Sequence, residues 1–223
     1  MTTAYSAFAC AIGLAWPGLV SPALAASPAG LSAPADERTP ETVTQLADWV
    51  AASGDNRDLP FAIVDKTEAQ VFVFAPDGRL LGASPALVGF ARGDDSAPGV
   101  GDRELSDIRP EERTTPAGRF VAAYGPAKGR DRVLWVDYAT AVSLHEVVTS
   151  NRRERRLQRL RSPTPEDNRI TYGCINVSSG FYRTVVRPTF EATGGVFYVL
   201  PETRPLEEAF PTYRPLRVAA SGG

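Results

Sequence analysis

The chain has 223 residues, 43% apolar and 22% charged, with a formal net charge of −2. This is the balance of an ordinary globular domain, and the near-neutral charge excludes a protein recruited to nucleic acid or an anionic membrane by bulk electrostatics. The length suits one domain of about 150 residues with extensions rather than two full domains.

The first charged residue is Asp36. Ahead of it, the apolar run Ala7–Trp16 is followed by Pro17 and Gly18, then by Ala23-Leu24-Ala25. A short apolar core with small residues at the −3 and −1 positions reads as a secretory signal over residues 1–25, cleaved after Ala25. The n-region departs from that pattern in offering only the α-amino group as positive charge. Export implies a periplasmic or cell-envelope location. Residues 26–39, rich in Ala, Ser, Pro and Gly, read as a flexible linker.

A helix is expected within residues 40–58, with Thr39 as N-cap, Pro40 at the first helical position and Gly54 as terminator. Val43, Leu46, Ala47, Trp49 and Val50 give it an apolar stripe that docks on the main domain, expected over residues 59–201. There the pattern changes to strands, at residues 61–66, 70–75 and 79–84, with Pro76-Asp77-Gly78 as a turn. Residues 91–118 lack periodicity and read as a long loop, either mobile or functional. Strand-like runs return at 119–124, 132–138 and 141–145. The segment 151–161 holds six arginines against one acid; it reads either as a solvated helical face with Leu157 and Leu160 turned inward, or as a cap over a neighbouring site that recruits carboxylates. Ser178 is placed to cap a helix running to Val186, residues 195–200 form a last strand, and the Pro-rich tail 202–223 is not expected to build a core of its own. The fold class that follows is mainly β with a few short helices.

Beyond the signal, one cysteine and one histidine remain, Cys174 and His145. A thiol with an unperturbed pKa of about 8.5 needs a base to become a nucleophile near neutral pH, and imidazole, near 6.5, is suited to that role. With Cys10 removed in the signal, Cys174 has no partner for an intramolecular disulfide, so a reactive thiol is the favoured reading over a small buried hydrophobe.

Thr115-Pro116-Ala117-Gly118-Arg119-Phe120, Leu144-His145 and Thr171-Tyr172-Gly173-Cys174-Ile175-Asn176 together resemble the L,D-transpeptidase catalytic domain family (YkuD type) over roughly residues 59–201. Two departures stand out: Tyr172 replaces the His usual before Gly-Cys, and the spacer from His145 to Cys174 is longer, the Arg-rich segment filling it. The resemblance implies a β-sandwich-type domain, Cys174 as nucleophile and His145 as its base. Gly173 would permit a tight turn, and the backbone amides of Tyr172, Gly173 and Cys174 would serve as oxyanion donors. Thr171, Tyr172 and Asn176 would position the turn, and Arg169 would contact a substrate carboxylate. The His145 tautomer is expected to be set by a backbone carbonyl, because Glu146 points to the opposite face of the strand.

The activity so implied is transpeptidation of peptidoglycan stem peptides through a Cys174 thioester, by a monomer, with no metal, organic cofactor or nucleic acid, the membrane being met only through the signal. Acylation of Cys174 by carbapenems is expected from the same resemblance. The alternatives are an L,D-carboxypeptidase or amidase using water as acceptor, and a non-catalytic wall-binding module.

Overall fold

The computed structural model describes residues 39–127 and 130–215. The signal reading of residues 1–25 and the linker reading up to residue 38 lie outside them. The described chain is mainly β, with the elements α1 (Glu41–Ser53), β1 (Phe61–Asp65), β2 (Gln70–Phe74), β3 (Leu80–Gly89), β4 (Gly118–Ala127), β5 (Arg130–Asp137), β6 (Val142–Glu146), α2 (Arg156–Arg159), β7 (Arg169–Thr171), β8 (Ile175–Val177), α3 (Ser179–Phe181), a π-helical turn (Tyr182–Val186), α4 (Arg187–Phe190), β9 (Gly195–Val199) and α5 (Leu206–Ala209). Among these, no helix is long and apolar enough to cross a membrane.

The strands follow the order β2-β1-β9-β4-β5-β6-β8-β3-β7, and β2 also pairs with β3, so eight strands close into a ring. The expected sandwich is thus joined along both edges. Two ten-residue strands make the joints. β3 pairs β2 through residues 80–85 and β8 through Ala86 and Leu87; β4 pairs β9 through 118–122 and β5 through 123–127. The strand expected at 79–84 continues to Gly89, and Pro85 is tolerated where the strand leaves one partner for the other.

Inside the ring, Ala62, Val64, Val71, Val73, Leu134, Leu144, Ile175, Phe197 and Val199 form the main core, joined by Tyr182, Val186 and Phe190 from the helical segment. Alternate residues of the same strands, Phe61, Ile63, Phe72 and Tyr198, point outward and are covered by Val43, Leu46, Trp49 and Val50 of α1. Burial on both faces explains why β1 and β2 read as continuous apolar runs rather than alternating ones. Helix α1 begins one residue later than expected, with Pro40 rather than Thr39 at the N-cap, and ends at Gly54 in the left-handed conformation (φ 68°). The segment after Pro201 adds Phe210 and Tyr213 to the outer core, so it is packed as far as it is described.

Residues 91–117 contain three short 3₁₀ turns, and their two ends are tied to one buried cation. Lys66 is 1% exposed, and its Nζ donates to Gly93 O (2.5 Å), Asp94 Oδ1 (2.7 Å) and Thr115 O (3.0 Å), using all three protons of the ammonium. Glu202 Oε1 lies 3.7 Å away. Burial pulls the Lys66 pKa down against the attraction of Asp94 and Glu202. For Asp94, burial alone would raise the pKa, but the bonds from Lys66, from the Thr203 hydroxyl and from the amides of Glu202 and Thr203 outweigh it and hold the carboxyl well below the ordinary range.

Removing this cation leaves the buried Asp94 carboxylate without its counter-ion, so Lys66→Met is expected to lower the unfolding free energy by about 3–5 kcal/mol in urea titrations. Because the folded Asp94 carboxyl is more acidic than an unfolded one (about 3.9), its contribution is complete above that value and drains away as pH falls below it. Asp94→Asn is therefore expected to be less stable at pH 7 and to lose less further stability on acidification than the wild type, as read by thermal melts from pH 7 to 2.

Candidate active site

Strands β6 and β8 run parallel in the register Leu144↔Ile175 and His145↔Asn176. Leu144 and Ile175 point into the core, so Ser143, His145 and Asn176 lie on the outer face, together with Cys174 at the entry to β8. Cys174 is opposite Ser143: its Sγ lies 3.6 Å from Ser143 Oγ and 3.7 Å from Ala141 O. His145 is one pair further along, diagonal to the thiol. Cys174 is a free, partly exposed cysteine, whereas Ser143 and Asn176 are buried.

Local bonding shapes the turn that delivers the thiol. Thr171 Oγ1 donates to Cys174 O (2.6 Å) and accepts from the Gly173 amide (3.1 Å). Thr115 Oγ1 donates to Gly173 O (2.8 Å) and accepts from the Gly89 amide (2.9 Å). Gly173 has φ 129°, and a Cβ there would stand 2.8 Å from Thr114 O, so backbone conformation and space both require glycine. Tyr172 carries the Arg113 guanidinium 4.0 Å above its ring, while Arg113 Nε and Nη2 donate to Ile108 O. Of the three amides expected to face an oxyanion, that of Gly173 is therefore already bonded to Thr171.

The imidazole is held at both nitrogens. Nδ1 is 2.7 Å from Glu146 O, which can only accept, so Nδ1 carries the proton. Nε2 is 3.1 Å from Asn176 Nδ2, and Asn176 Oδ1 accepts from Arg156 Nη1 at 2.8 Å. Arg156 also pairs with Glu154 at 2.5 Å. The Glu146 carboxylate faces away and binds Arg183 through both oxygens (3.0 and 3.1 Å). The carbonyl of residue 146 and not its carboxylate meets the ring, as the strand alternation requires.

Neighbouring elements frame this face. Leu160 packs with Leu87, Val147 and Ile170, seating the Arg-rich segment over β3 and β7, whereas Leu157, expected to face inward, is 46% exposed. On the other side Trp135, the cross-strand partner of Ser143, packs over Gly125 and donates from Nε1 to Pro126 O. Tyr138 meets Trp135 edge-on at 5.2 Å and is exposed. A cleft of about 420 Å³ reaches His145 and is bordered by Tyr124, Arg132, Arg187 and Glu191. Among the described residues, no group of three or more His, Cys, Asp or Glu side chains converges to hold a metal ion.

The structure thus brings Cys174, His145 and Asn176 onto one face and puts Thr171 and Gly173 in the turn beneath them. Arg169 is engaged elsewhere: its guanidinium, 9% exposed, pairs with Glu202 and donates to the carbonyls of Lys66, Gly89 and Ala91. Its role in the described fold is to close the ion cluster around Lys66. Two site residues were not singled out by the sequence. Ser143 was legible, standing two positions before His145 on a strand and hence on its face. Arg156 was not, since six arginines share that run and nothing in the sequence distinguishes one.

No family model and no curated protein matches the chain. Solved structures that resemble it include the catalytic domain of the E. faecium L,D-transpeptidase, with 16% identity and a TM-score of 0.38 over 64% of this chain and 98% of that one. An L,D-transpeptidase from Mycobacterium smegmatis has 16% identity and a TM-score of 0.35 over 63% of this chain. The helical cell shape determining protein Pgp2 from Campylobacter jejuni has 14% identity and a TM-score of 0.41 over 72% of this chain. The chain spans 58% and 57% of the length of the last two.

Gly173→Ala forces a side chain into the Thr114 carbonyl and an unfavourable φ. It is expected to lower the melting temperature and to change the rate at which iodoacetamide alkylates Cys174 several-fold, with Gly180→Ala, which meets no atom within 4 Å, as the neutral control.

Proposed function

We propose that this chain is an exported cysteine L,D-transpeptidase acting on peptidoglycan stem peptides. The observation that carries the reading is the convergence of the chain's only histidine and its one cysteine beyond the signal on one strand face. Cys174 sits there on a glycine-dependent turn within Thr-Tyr-Gly-Cys-Ile-Asn. The fold is compatible with many activities, so these side chains carry the assignment.

In the first half-reaction His145 Nε2 takes the proton from Cys174 Sγ, and the thiolate attacks the carbonyl at the L-centre of a tetrapeptide stem. For this the imidazole exchanges its bond with Asn176 for one with the diagonal thiol, across a gap that an aromatic side chain spans on a strand pair. Charge developing on the carbonyl oxygen meets the amides of Cys174 and Tyr172, a contribution of about 3–4 kcal/mol per donor. The imidazolium then returns its proton to the leaving amine of the terminal D-residue. In the second half-reaction an amine of a neighbouring stem attacks the thioester, again with His145 as base, and Cys174 is released. Ser143 Oγ, beside Sγ, can accept the thiol proton's hydrogen bond and keep the sulfur aimed outward. The Trp135–Tyr138 pair provides an apolar wall for the stem, and the cleft at His145, with Arg132 and Arg187 on its border, offers cationic groups to stem carboxylates. Delivery to the envelope would follow from the apolar segment before Ala25.

A hydrolytic reading, with water in place of the acceptor amine, is favoured by one feature: the thiol lies on the outer face, partly exposed.

Incubation with purified tetrapeptide muropeptides, followed by mass spectrometry, is expected to yield cross-linked dimers and released D-amino acid; shortened monomers alone would replace transfer by hydrolysis. Cys174→Ala is expected to abolish both products and the mass increment left by a carbapenem, and His145→Ala to slow turnover by about 10²–10⁴-fold. Full activity in either variant would overturn the assignment.

A further inference from the structure

Three side chains in series lead from the Arg-rich segment to the imidazole, and each link allows only one polarity. A guanidinium has donors and no acceptor, so Arg156 Nη1, 2.8 Å from Asn176, must face the amide oxygen. With Oδ1 so committed, the Asn176 amide nitrogen is what faces His145, 3.1 Å from Nε2. An amide nitrogen donates, so Nε2 must be an unprotonated acceptor. From the other side the Glu146 carbonyl, 2.7 Å from Nδ1, requires the proton on that nitrogen. Both constraints specify the same species: neutral imidazole, protonated at Nδ1, with its lone pair at Nε2.

We propose that Arg156 is a positioning residue which, acting through Asn176, holds His145 in this base-competent neutral form. Protonating Nε2 sets two donors against each other, and relief requires turning the Asn176 amide, which breaks the bond to Arg156. The segment therefore resists formation of imidazolium in the resting site. Arg156 is itself pinned: Glu154 binds its Nε, and its side chain is 12% exposed. Asn176 is 1% exposed, so its amide has no solvent to compensate for a turn in the wrong sense.

Other charged groups also face the ring, and the test must separate them from the relay. The Glu146 carboxylate, one residue away, is bound to Arg183, and Cys174 lies diagonally on the strand face that carries the ring. Arg132, Arg187, Glu191, Tyr124 and Tyr182 line the same cleft as His145. None of these is altered in the variants below, and the catalytic meaning of the relay rests on the reading of His145 as base.

With one histidine in the chain, ¹⁵N-histidine labelling gives a single imidazole whose tautomer and titration are read directly by long-range ¹H–¹⁵N correlation. Wild type is expected to show protonated Nδ1 and unprotonated Nε2 at pH 7. Arg156→Met should raise the proton affinity of the ring by about tenfold, one pH unit in the titration midpoint. In an Asn176→Ala background, the same Arg156→Met change should have no effect. A wild-type ring protonated at Nε2, or an Arg156→Met shift of equal size in both backgrounds (the mark of through-space charge), would overturn the proposal. Should Arg156→Met fail to fold, Asn176→Asp takes its place: a carboxylate accepts at both oxygens, so Nε2–H is expected at pH 7, and a spectrum like wild type would overturn the relay. Because the measurement needs no turnover, a chain with the relay but no cross-linking product keeps this inference and loses only the catalytic reading.

Discussion

A single buried ammonium organises the side of the fold on which the thiol is presented. Lys66 has essentially no access to water, and an unpaired cation there would be prohibitively costly. Its protons are satisfied only if Gly93, Asp94 and Thr115 are all in place, which fixes both ends of the 91–117 loop at once. Asp94 and Glu202 then draw in the segment after β9, and Arg169 joins through Glu202. Thr115, whose carbonyl meets Lys66, extends the same network through its hydroxyl to Gly89 and Gly173. The position of the turn that carries Cys174 is thus coupled, through one threonine, to a buried charge.

Closure of the sheet matters for the same reason. β3 and β4 each pair with one layer and then cross to the other, so no free edge runs along either side of the ring. β8 is only three residues long, yet it is held between β6 and β3. A short strand with a neighbour on each side has its register fixed, and register decides which side chains face outward. A slip of one residue would bury Cys174 and expose Ile175. The pairing of Ser143 with Cys174 and of His145 with Asn176 depends on that fixed register.

The resting geometry presents an imidazole and a thiol that are neighbours without being bonded to each other. Nε2 is held by Asn176 and the thiol lies beside Ser143, so in the proposed reaction proton transfer would follow a rearrangement of the ring. Such an arrangement would suit the proposed activity, since a permanently ionised thiol at a partly exposed position is open to oxidation and alkylation. In the proposed reaction, substrate arriving on this face would displace the imidazole from Asn176 and bring it to the sulfur.

Much of the architecture was readable from the chain alone. The apolar stripe of α1, the Gly54 stop, the doubly buried runs of β1, β2 and β9, and the Thr-Tyr-Gly-Cys-Ile-Asn turn follow from periodicity and from residues with narrow conformational preferences. Those signals are local, and local sequence carries them. The ring closure, the Lys66 cluster and the choice of Arg156 among six arginines join residues far apart in the chain, with no pattern linking them in sequence. Arg169 illustrates the limit: its nearness to the motif suggested a substrate contact, but tertiary packing set it against Glu202. The sequence determined which residues had the chemistry, a thiol in a glycine-dependent turn and the chain's one imidazole. The tertiary structure decided how they meet, because only the strand register sets Cys174 against Ser143 and His145 against Asn176, and only the folded Arg-rich segment brings Arg156 to the amide.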